Sequence, residues 1–524
     1  MRALFVVRNI ANAEPHGLMI LGALLKQAGH EVRLVGARTT PLAPVMAEFA
    51  PDLVGYSACT GLHRYLLRLN RWLKRHWRFV SVFGGPHPTF FPEMIDEEGV
   101  DAVCRGEGEG AILDIAAAID KGRPLDDIPN LWVKTADGVR RNAMRPLITD
   151  ADSIPFPDRE VRYASDPAGR DYPVKSFLVS RGCPFRCTYC FNSGYAELYG
   201  QAAWCQPRVR SVANVIAEIQ EVRRASRLEF VQFRESIFPW QEEWLEEFAA
   251  HYAAEIGLPF YCHVRADLLT ERRVALLREA GCVSVNMGIE CGDEAYRREV
   301  LGRAMTNEQI VEACRLLHAH GIRILADNMV GLPGAGVEAD WKTLRLNQRC
   351  EIDYPLAMIF QPYPGTELGR RAQAMGLFDG GYDQIECNYY LRSPLTYGTD
   401  AERRETENLQ KLFAVLVEAP WLERLVRPLL RRRPNLTFLC IFRAWYIYCY
   451  RRRIVPHRLT RPELRELMQS LFGLYLPEVN DEALAEEAGG LDRAGRDGPG
   501  RADRQSVHRG LRWQARDAAR AQGT

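Results

Sequence analysis

Over residues 1–120 the apolar positions fall into short runs separated by longer stretches with helical spacing. ALFVV (3–7), EVRLVG (31–36), DLVGYSA (52–58), FVSVFGG (79–85) and DAVCRG (101–106) have the look of buried parallel strands. GLMILGALLKQAG (17–29), the stretch 62–75 and AILDIAAAID (111–120) have the helix period. Strict alternation predicts an α/β domain over 1–145, doubly wound and Rossmann-like, with ligands beyond the strand C-termini. LWVKTADGVRRN (131–142) places Asp137-Gly138 between two strand-like runs and predicts a hairpin. A proline-broken linker, 146–171, follows.

The alternation resumes over 172–378. SFLVS (176–180), LEFVQF (228–233), PFYCHV (259–264), VSVNMGI (283–289), ILADNMV (324–330) and AMIFQPY (357–363) are six strand candidates with helical segments between them. Six β-α units predict a partial (β/α)6, TIM-like barrel whose site lies at the strand C-termini. Residues 379–482 are rich in Leu and Arg and predict a mainly helical C-terminal region. Within it LTFLCIFRAWYIYCY (436–450) is interrupted by Arg443 and flanked by arginine triplets. An amphipathic helix packed on the body of the protein is expected there, with peripheral membrane contact as the alternative. Residues 483–524 carry few large apolar side chains and predict a disordered tail.

Composition narrows the function classes. The chain is 47% hydrophobic and 26% charged, a globular profile. Its 68 basic and 67 acidic residues leave a net charge of +1, so no nucleic-acid partner is expected. The opening MRALFVVRNI reads as a strand and not as a signal peptide. The 14 cysteines, mostly scattered, therefore read as reduced thiols in the cytoplasm.

Three cysteines are not scattered. RGCPFRCTYCFN sets Cys183, Cys187 and Cys190 in a C-x3-C-x2-C spacing directly after the first barrel strand. Three thiolates on a short loop suit three irons of a [4Fe-4S] cube and leave the fourth iron without a protein ligand. Zinc is the competing reading. It wants a closed tetrahedron, and Cys205 does not stand at a finger-like spacing.

The C-x3-C-x-aromatic-C motif resembles the radical S-adenosylmethionine (SAM) superfamily, a resemblance carried by residues 175–370. It implies that SAM chelates the open iron and that reductive cleavage yields a 5′-deoxyadenosyl radical, which abstracts hydrogen from substrate. It further implies that Tyr189 contacts the adenine. Glu290, in GIECG (288–292), would meet the ribose or amino-acid moiety, and Arg265 the SAM carboxylate. MVGLPG (329–334) and QPYPGTEL (361–368) match two more segments of the same subgroup. FRESIF (233–238) departs from the subgroup's F-x-D-D-x-F: Glu235 keeps one acid, suited to the SAM ammonium, and Ser236 replaces the other. An ordinary salt bridge at the barrel rim is the alternative reading for Arg265 and Glu235.

The N-terminal domain resembles the cobalamin-binding domain of the B12-dependent radical SAM subgroup, on GLMILGALLKQAGHEV, PDLVGYSACT (51–60), GGPHPT (84–89) and CRGEGE (104–109). Gly84 and Gly85 let backbone approach a bulky ligand. Ser57 and Thr60 offer hydroxyls, and Gly106 and Glu107 lead into a helix N-terminus. The D-x-H-x-x-G sequence that puts a His on cobalt is absent, and His16 is expected at the surface. The resemblance thus implies three cofactors: a [4Fe-4S] cluster, SAM and cobalamin. It implies a methyltransferase acting on an unactivated carbon or phosphorus of a small, natural-product-like substrate, fed by a flavodoxin- or ferredoxin-type electron donor. A cyclase or rearrangement enzyme with the same cofactors, or a radical SAM enzyme that no longer binds cobalamin, are the alternatives.

Overall fold

A computed structural model describes residues 1–10, 14–363, 365–385 and 388–457. In the N-terminal part, β1 (Arg2–Val7), β2 (Glu31–Gly36), β3 (Leu53–Ser57), β4 (Val80–Gly84) and β5 (Ala102–Cys104) are parallel, and β6 (Leu131–Thr135) and β7 (Gly138–Arg141) add the expected hairpin. The strand order is 2-1-3-4-5-6-7. Helices His16–Gln27 and Glu109–Asp120 cover one face through Leu18, Met19, Ile112 and Ile115. Helices Leu42–Phe49 and His63–His76 cover the other through Met46, Phe49, Leu66 and Leu73. The sheet is therefore doubly wound, in the flavodoxin-like order whose switch point lies between β1 and β3. The helix Leu42–Phe49 is an addition to the sequence reading.

The second sheet contains β8 (Val174–Phe177), β11 (Phe230–Phe233), β12 (Phe260–Val264), β13 (Cys282–Glu290), β14 (Arg323–Val330) and β15 (Tyr354–Ile359), all parallel and in chain order. β8 and β15 are its edges, so the barrel is open. A small antiparallel ribbon, β9 (Ser180–Arg181) with β10 (Arg208–Val209), leads into the cysteine loop. Two strands differ in extent from the sequence reading: β8 ends by Phe177, and β15 begins three residues earlier.

Side chains alternate across this sheet. Phe233, Val285 and Ile324 pack outward under the helices. Phe230, Tyr261, Leu325 and Tyr354 point inward. The C-terminal region fills the lower interior: Cys449 and Ile454 join that inner cluster, and Gln232 Nε2 donates to Tyr450 Oη at 3.2 Å.

The linker is tied by buried ion pairs to both of its neighbours. Its helix Arg159–Tyr163 carries Arg159, which bridges Glu14 (3.5 Å) and Glu218 (2.9 Å), while Arg162 also reaches Glu14 (3.4 Å). Glu14 accepts from both the backbone N and Oγ of Ser176, each at 2.7 Å. Burial opposes ionisation of Glu14, yet Arg159, His16 and Arg162 hold its carboxyl down to about 2. The described residues all belong to one compact unit, Met1–Leu471. Among them no helix is long and apolar enough to cross a membrane. The last part of the expected helical region and the expected tail lie outside the described residues.

Candidate functional site

Gly182 turns the chain out of β9 with φ +92°, and a Cβ there would lie 2.7 Å from the Trp204 carbonyl. The loop that follows is pinned. Thr188 N donates to Leu301 O (3.2 Å), Thr188 Oγ1 to Val300 O (2.7 Å), and Ser193 Oγ to Cys187 O (2.8 Å). The helix Phe191–Tyr199 starts directly after Cys190. Cys183 and Cys187 are buried and Cys190 is half-buried. Burial pushes the Cys183 thiol up and the Cys190 thiol to about 11. Thiols in such surroundings become good thiolates when a metal cation replaces the proton.

Two guanidiniums face the loop. Arg265 Nη1 and Arg303 Nη1 each lie 3.7 Å from Cys187 Sγ. Arg265 is fixed by a two-point bridge to Asp267 (2.9 and 2.8 Å) and stacks on Phe185 with 3.6 Å from guanidinium carbon to ring centre. Arg303 reaches Tyr189 Oη (3.1 Å) and Gly288 O (2.5 Å). Tyr189 Oη in turn donates to Glu290 Oε1 at 2.9 Å. Tyr189, Arg265, Glu290 and the three cysteines are thus brought together. Glu290 sits where the β13–β14 register slips, with φ +66°. A Cβ on Gly288 would lie 2.3 Å from Glu290 Oε1, so this fold-back requires glycine there. A left-handed non-glycine residue costs roughly 1–3 kcal/mol, a cost met where geometry serves a site.

Glu235 lies on the neighbouring loop after β11, buried, with Oε2 accepting from Val179 N at 3.2 Å. Its Oε1 is buried and has no partner among the described residues, and burial lifts the carboxyl to about 7. Ser236 meets Asn192 Nδ2 at 3.0 Å, tying this loop to the cysteine helix.

The donor set fits a [4Fe-4S] cluster with SAM: three thiols on one pinned loop, arginines beside one sulfur, and an orphaned acid nearby. Among the described residues no three His, Cys, Asp or Glu side chains close round a single metal ion. A cube asks each thiolate to hold a different iron. Cys205 comes near enough to Cys183 for its charge to oppose ionisation there.

Below this rim lies a polar set that the sequence reading missed. Register pairs His263 with Asn286 and Gly288 with Asp327, and Asn286 Nδ2 donates to Asp327 Oδ2 at 2.9 Å. Burial, with the charge of Glu290, raises Asp327 to about 7. Burial and Arg234 lower His263 to about 3, and its Nε2 has no partner among the described residues. The exposed Arg234 lies near enough for its charge to act on His16, Tyr261, His263, Asp327 and Tyr446. Two-residue spacing puts Arg234 with Gln232 and His263 with Arg265. Only the hydrogen bonds reveal which of these side chains meet.

The N-terminal residues form a separate group at the C-terminal edge of the first sheet. Gly85 has φ +99°, and a Cβ would lie 3.0 Å from the Ala58 carbonyl. At Gly84 a Cβ would make ordinary contact with Cys104, whose Cβ would lie 3.9 Å away. Ser57 ends β3, and Thr60 Oγ1 pairs with His87 Nδ1 at 3.0 Å. His87 stacks on His63 at 3.8 Å, and Tyr382 meets both rings edge-on. Gly106 has Tyr199 in the place of a side chain. Glu107 is held by Arg208 (2.8 Å) and Arg181 (3.2 Å) through its carboxylate, and its backbone is also engaged, N with Tyr199 Oη (3.0 Å) and O with Asn130 Nδ2 (3.1 Å). His16 is not at the surface as expected: its Nε2 bonds Ser176 Oγ at 2.8 Å on the first barrel strand.

Comparison with known proteins agrees with this layout. Residues 6–116 match the B12 binding domain and residues 177–346 the Radical SAM superfamily. An uncharacterized methyltransferase of Pyrococcus horikoshii is 28% identical over 372 residues, 69% of this chain and 79% of that protein. The anaerobic magnesium-protoporphyrin IX monomethyl ester cyclase of Rubrivivax gelatinosus is 26% identical over 399 residues, 70% of this chain and 69% of that protein. The cobalamin-dependent SAM radical enzyme OxsB, solved with aqua-cobalamin, shares the fold with a TM-score of 0.65 at 16% identity, over 91% of this chain and 80% of that one. The cofactors are accordingly a [4Fe-4S] cluster, SAM and cobalamin. The chain belongs to the radical SAM proteins that carry a B12-binding domain ahead of the barrel.

Proposed function

We propose that this protein is a cobalamin-dependent radical SAM methyltransferase acting on an unactivated carbon or phosphorus of a small molecule. One observation carries the reading: the ligand edge of the first sheet is locked to the cysteine side of the barrel. Glu107 N donates to Tyr199 Oη (3.0 Å), Arg181 bridges Glu107 and Glu109 (3.2 and 2.6 Å), and Phe90 stacks on Phe191 at 4.8 Å. A substrate between the two edges is in reach of both cofactors, which supply a 5′-deoxyadenosyl radical and a methyl group.

The chain's own part is to bind and to orient. Tyr189, Arg265 and Glu290 hold SAM, with Glu235 offering its free oxygen to the ammonium. Ser57, Thr60 and the turns at Gly84, Gly85, Gly106 and Glu107 border the corrinoid. Arg234, His263, Asn286 and Asp327 meet the substrate's polar groups. Placing these groups in advance removes entropy from the barrier. A flavodoxin- or ferredoxin-type donor delivers the electron, and no nucleic acid takes part.

Similarity to a cyclase favours a second reading with the same cofactors and no net methyl transfer. Anaerobic protein reconstituted with iron, sulfide and hydroxocobalamin separates the two when given methyl-labelled SAM and a reductant. Methyl transfer requires label recovered with the corrinoid; a corrinoid that stays unlabelled while 5′-deoxyadenosine accumulates contradicts it.

A further inference from the structure

Among the described residues all but one of the exposed large apolar side chains stand in one segment. Trp421 (70% exposed), Leu425 (64%), Leu429, Leu436 (52%), Ile441 and Tyr448 (49%) stand out of one short segment. Elsewhere among the described residues only Met375 is a large apolar side chain exposed to this degree. The pattern is regular. Trp421, Leu425 and Leu429 are four apart and form the outward stripe of the helix Glu423–Leu430 and the turn before it. That helix turns Leu430 inward, with Leu422 and Val426 packed against the core cluster of the helix Asp400–Glu418. The helix Leu436–Cys449 likewise buries Leu439 and Cys449 and leaves Leu436, Ile441 and Tyr448 outside. Each helix thus has a second apolar stripe that no other described residue covers, whereas an ordinary surface helix has one.

Charge says what the face is for. Residues 421–453 hold nine arginines against one acid, Glu423, in a chain whose net charge is +1. Arg427 pairs with Glu423 and Arg431 with Glu405. Arg424, Arg432 and Arg433 are exposed and have no ion pair or side-chain hydrogen bond among the described residues. Arg432 and Arg433 stand in the turn where the two apolar stripes meet. Apolar side chains including Trp, flanked by free guanidiniums, match a layer of anionic headgroups over acyl chains. Two copies of so basic a face repel one another, and a polyanion without apolar matter would leave the stripes wet.

We propose that the helices Glu423–Leu430 and Leu436–Cys449 seat this protein on an anionic lipid bilayer. The apolar stripes enter the headgroup boundary, and Arg424, Arg432 and Arg433 meet lipid phosphates. This rests on the exposed stripes and their charge and is independent of the proposed reaction.

The test is co-sedimentation of the full-length holoprotein with sucrose-loaded vesicles of phosphatidylcholine, with and without a quarter phosphatidylserine. Expected is at least tenfold stronger partition into the phosphatidylserine vesicles, weakened by salt. Leu425→Glu with Leu429→Glu should abolish it, and Arg432→Gln with Arg433→Gln should remove most of the phosphatidylserine preference. Both variants should keep the iron content and cluster absorbance of the parent. Wild-type protein left in the supernatant overturns the proposal, as do variants that bind like the parent. A dimer in light scattering that the Leu425→Glu, Leu429→Glu variant splits assigns the face to a second copy. Cross-links from this face to residues 458–524 assign it to the chain itself. Either result also overturns the proposal.

Discussion

Glu235 and Glu107 are both acids that the sequence marks as cofactor contacts, and they lie in opposite electrostatic settings. Glu107, at the seam between the two sheets, is satisfied by Arg181, Arg208 and the backbone N of Ile148. Glu235, at the barrel rim, has one buried oxygen with no partner among the described residues and a carboxyl raised to about 7. The seam repeats its pattern at Glu14, Arg159 and Glu218, all buried and mutually paired. At the rim His263 likewise has an Nε2 with no partner among the described residues, whereas Glu290, folded back at φ +66°, accepts from Tyr189 Oη at 2.9 Å and faces Arg303 at 3.8 Å. Acids at the seam hold the molecule together; Glu235 at the rim keeps bonding capacity for a ligand. Residue type alone does not separate the two, but partner saturation does.

The largest effect belongs to the rim. Cys187→Ala should bring iron and sulfide close to zero and remove SAM cleavage entirely, while circular dichroism stays native. Retention of four irons in that variant would mean that other ligands hold the cluster. At the seam, Arg159→Ala should leave the cluster's spectrum unchanged and lower stability by about 3–5 kcal/mol, the usual cost of stripping one partner from a buried ion pair. Denaturant melts read this directly, and a loss below about 1 kcal/mol would erase the distinction between the regions.

The third prediction uses pH. Glu235 is raised in the fold, so native protein binds more protons than unfolded chain between about pH 4.5 and pH 7. Stability therefore falls as pH rises through that window and levels off above it. Relative to Glu235→Gln, wild-type protein without cofactors should lose on the order of 3 kcal/mol across the window. Parallel stability curves for the two proteins would show that Glu235 is not held neutral. The smallest effect is His16→Ala, which removes the bond to Ser176 and should cost about 1 kcal/mol. The EPR spectrum of bound Co(II) should not change, whereas loss of nitrogen hyperfine structure in the variant would make His16 a cobalt ligand.

Much of this was legible in the sequence. Strand and helix alternation gave the five parallel strands of the first sheet, the hairpin at Asp137-Gly138 and the six barrel strands. The cysteine spacing led to the loop after β9. What escaped has physical reasons. β15 contains Pro355, which argues against a strand interior, yet an edge strand tolerates a missing donor. The apolar run AMIFQPY continues past the sheet and drew the reading three residues downstream. Leu42–Phe49 is two turns long and follows Pro41, too short for its period to show. Arg303 reaches Cys187 and Tyr189 from beyond a separate helix, so no local spacing ties it to the loop. His16, Glu14 and Arg159 meet across 145 residues, and only the fold brings them together.

The chemistry turns on one iron free of protein ligands and open to SAM. The direct measurement is EPR of the anaerobically reconstituted, reduced cluster with and without SAM, in wild-type protein and in Cys205→Ala. Four irons per chain and a SAM-dependent change of the signal, the same in both proteins, are predicted. A signal indifferent to SAM, or a cluster lost with Cys205, would mean that the fourth iron is already taken and would contradict the account.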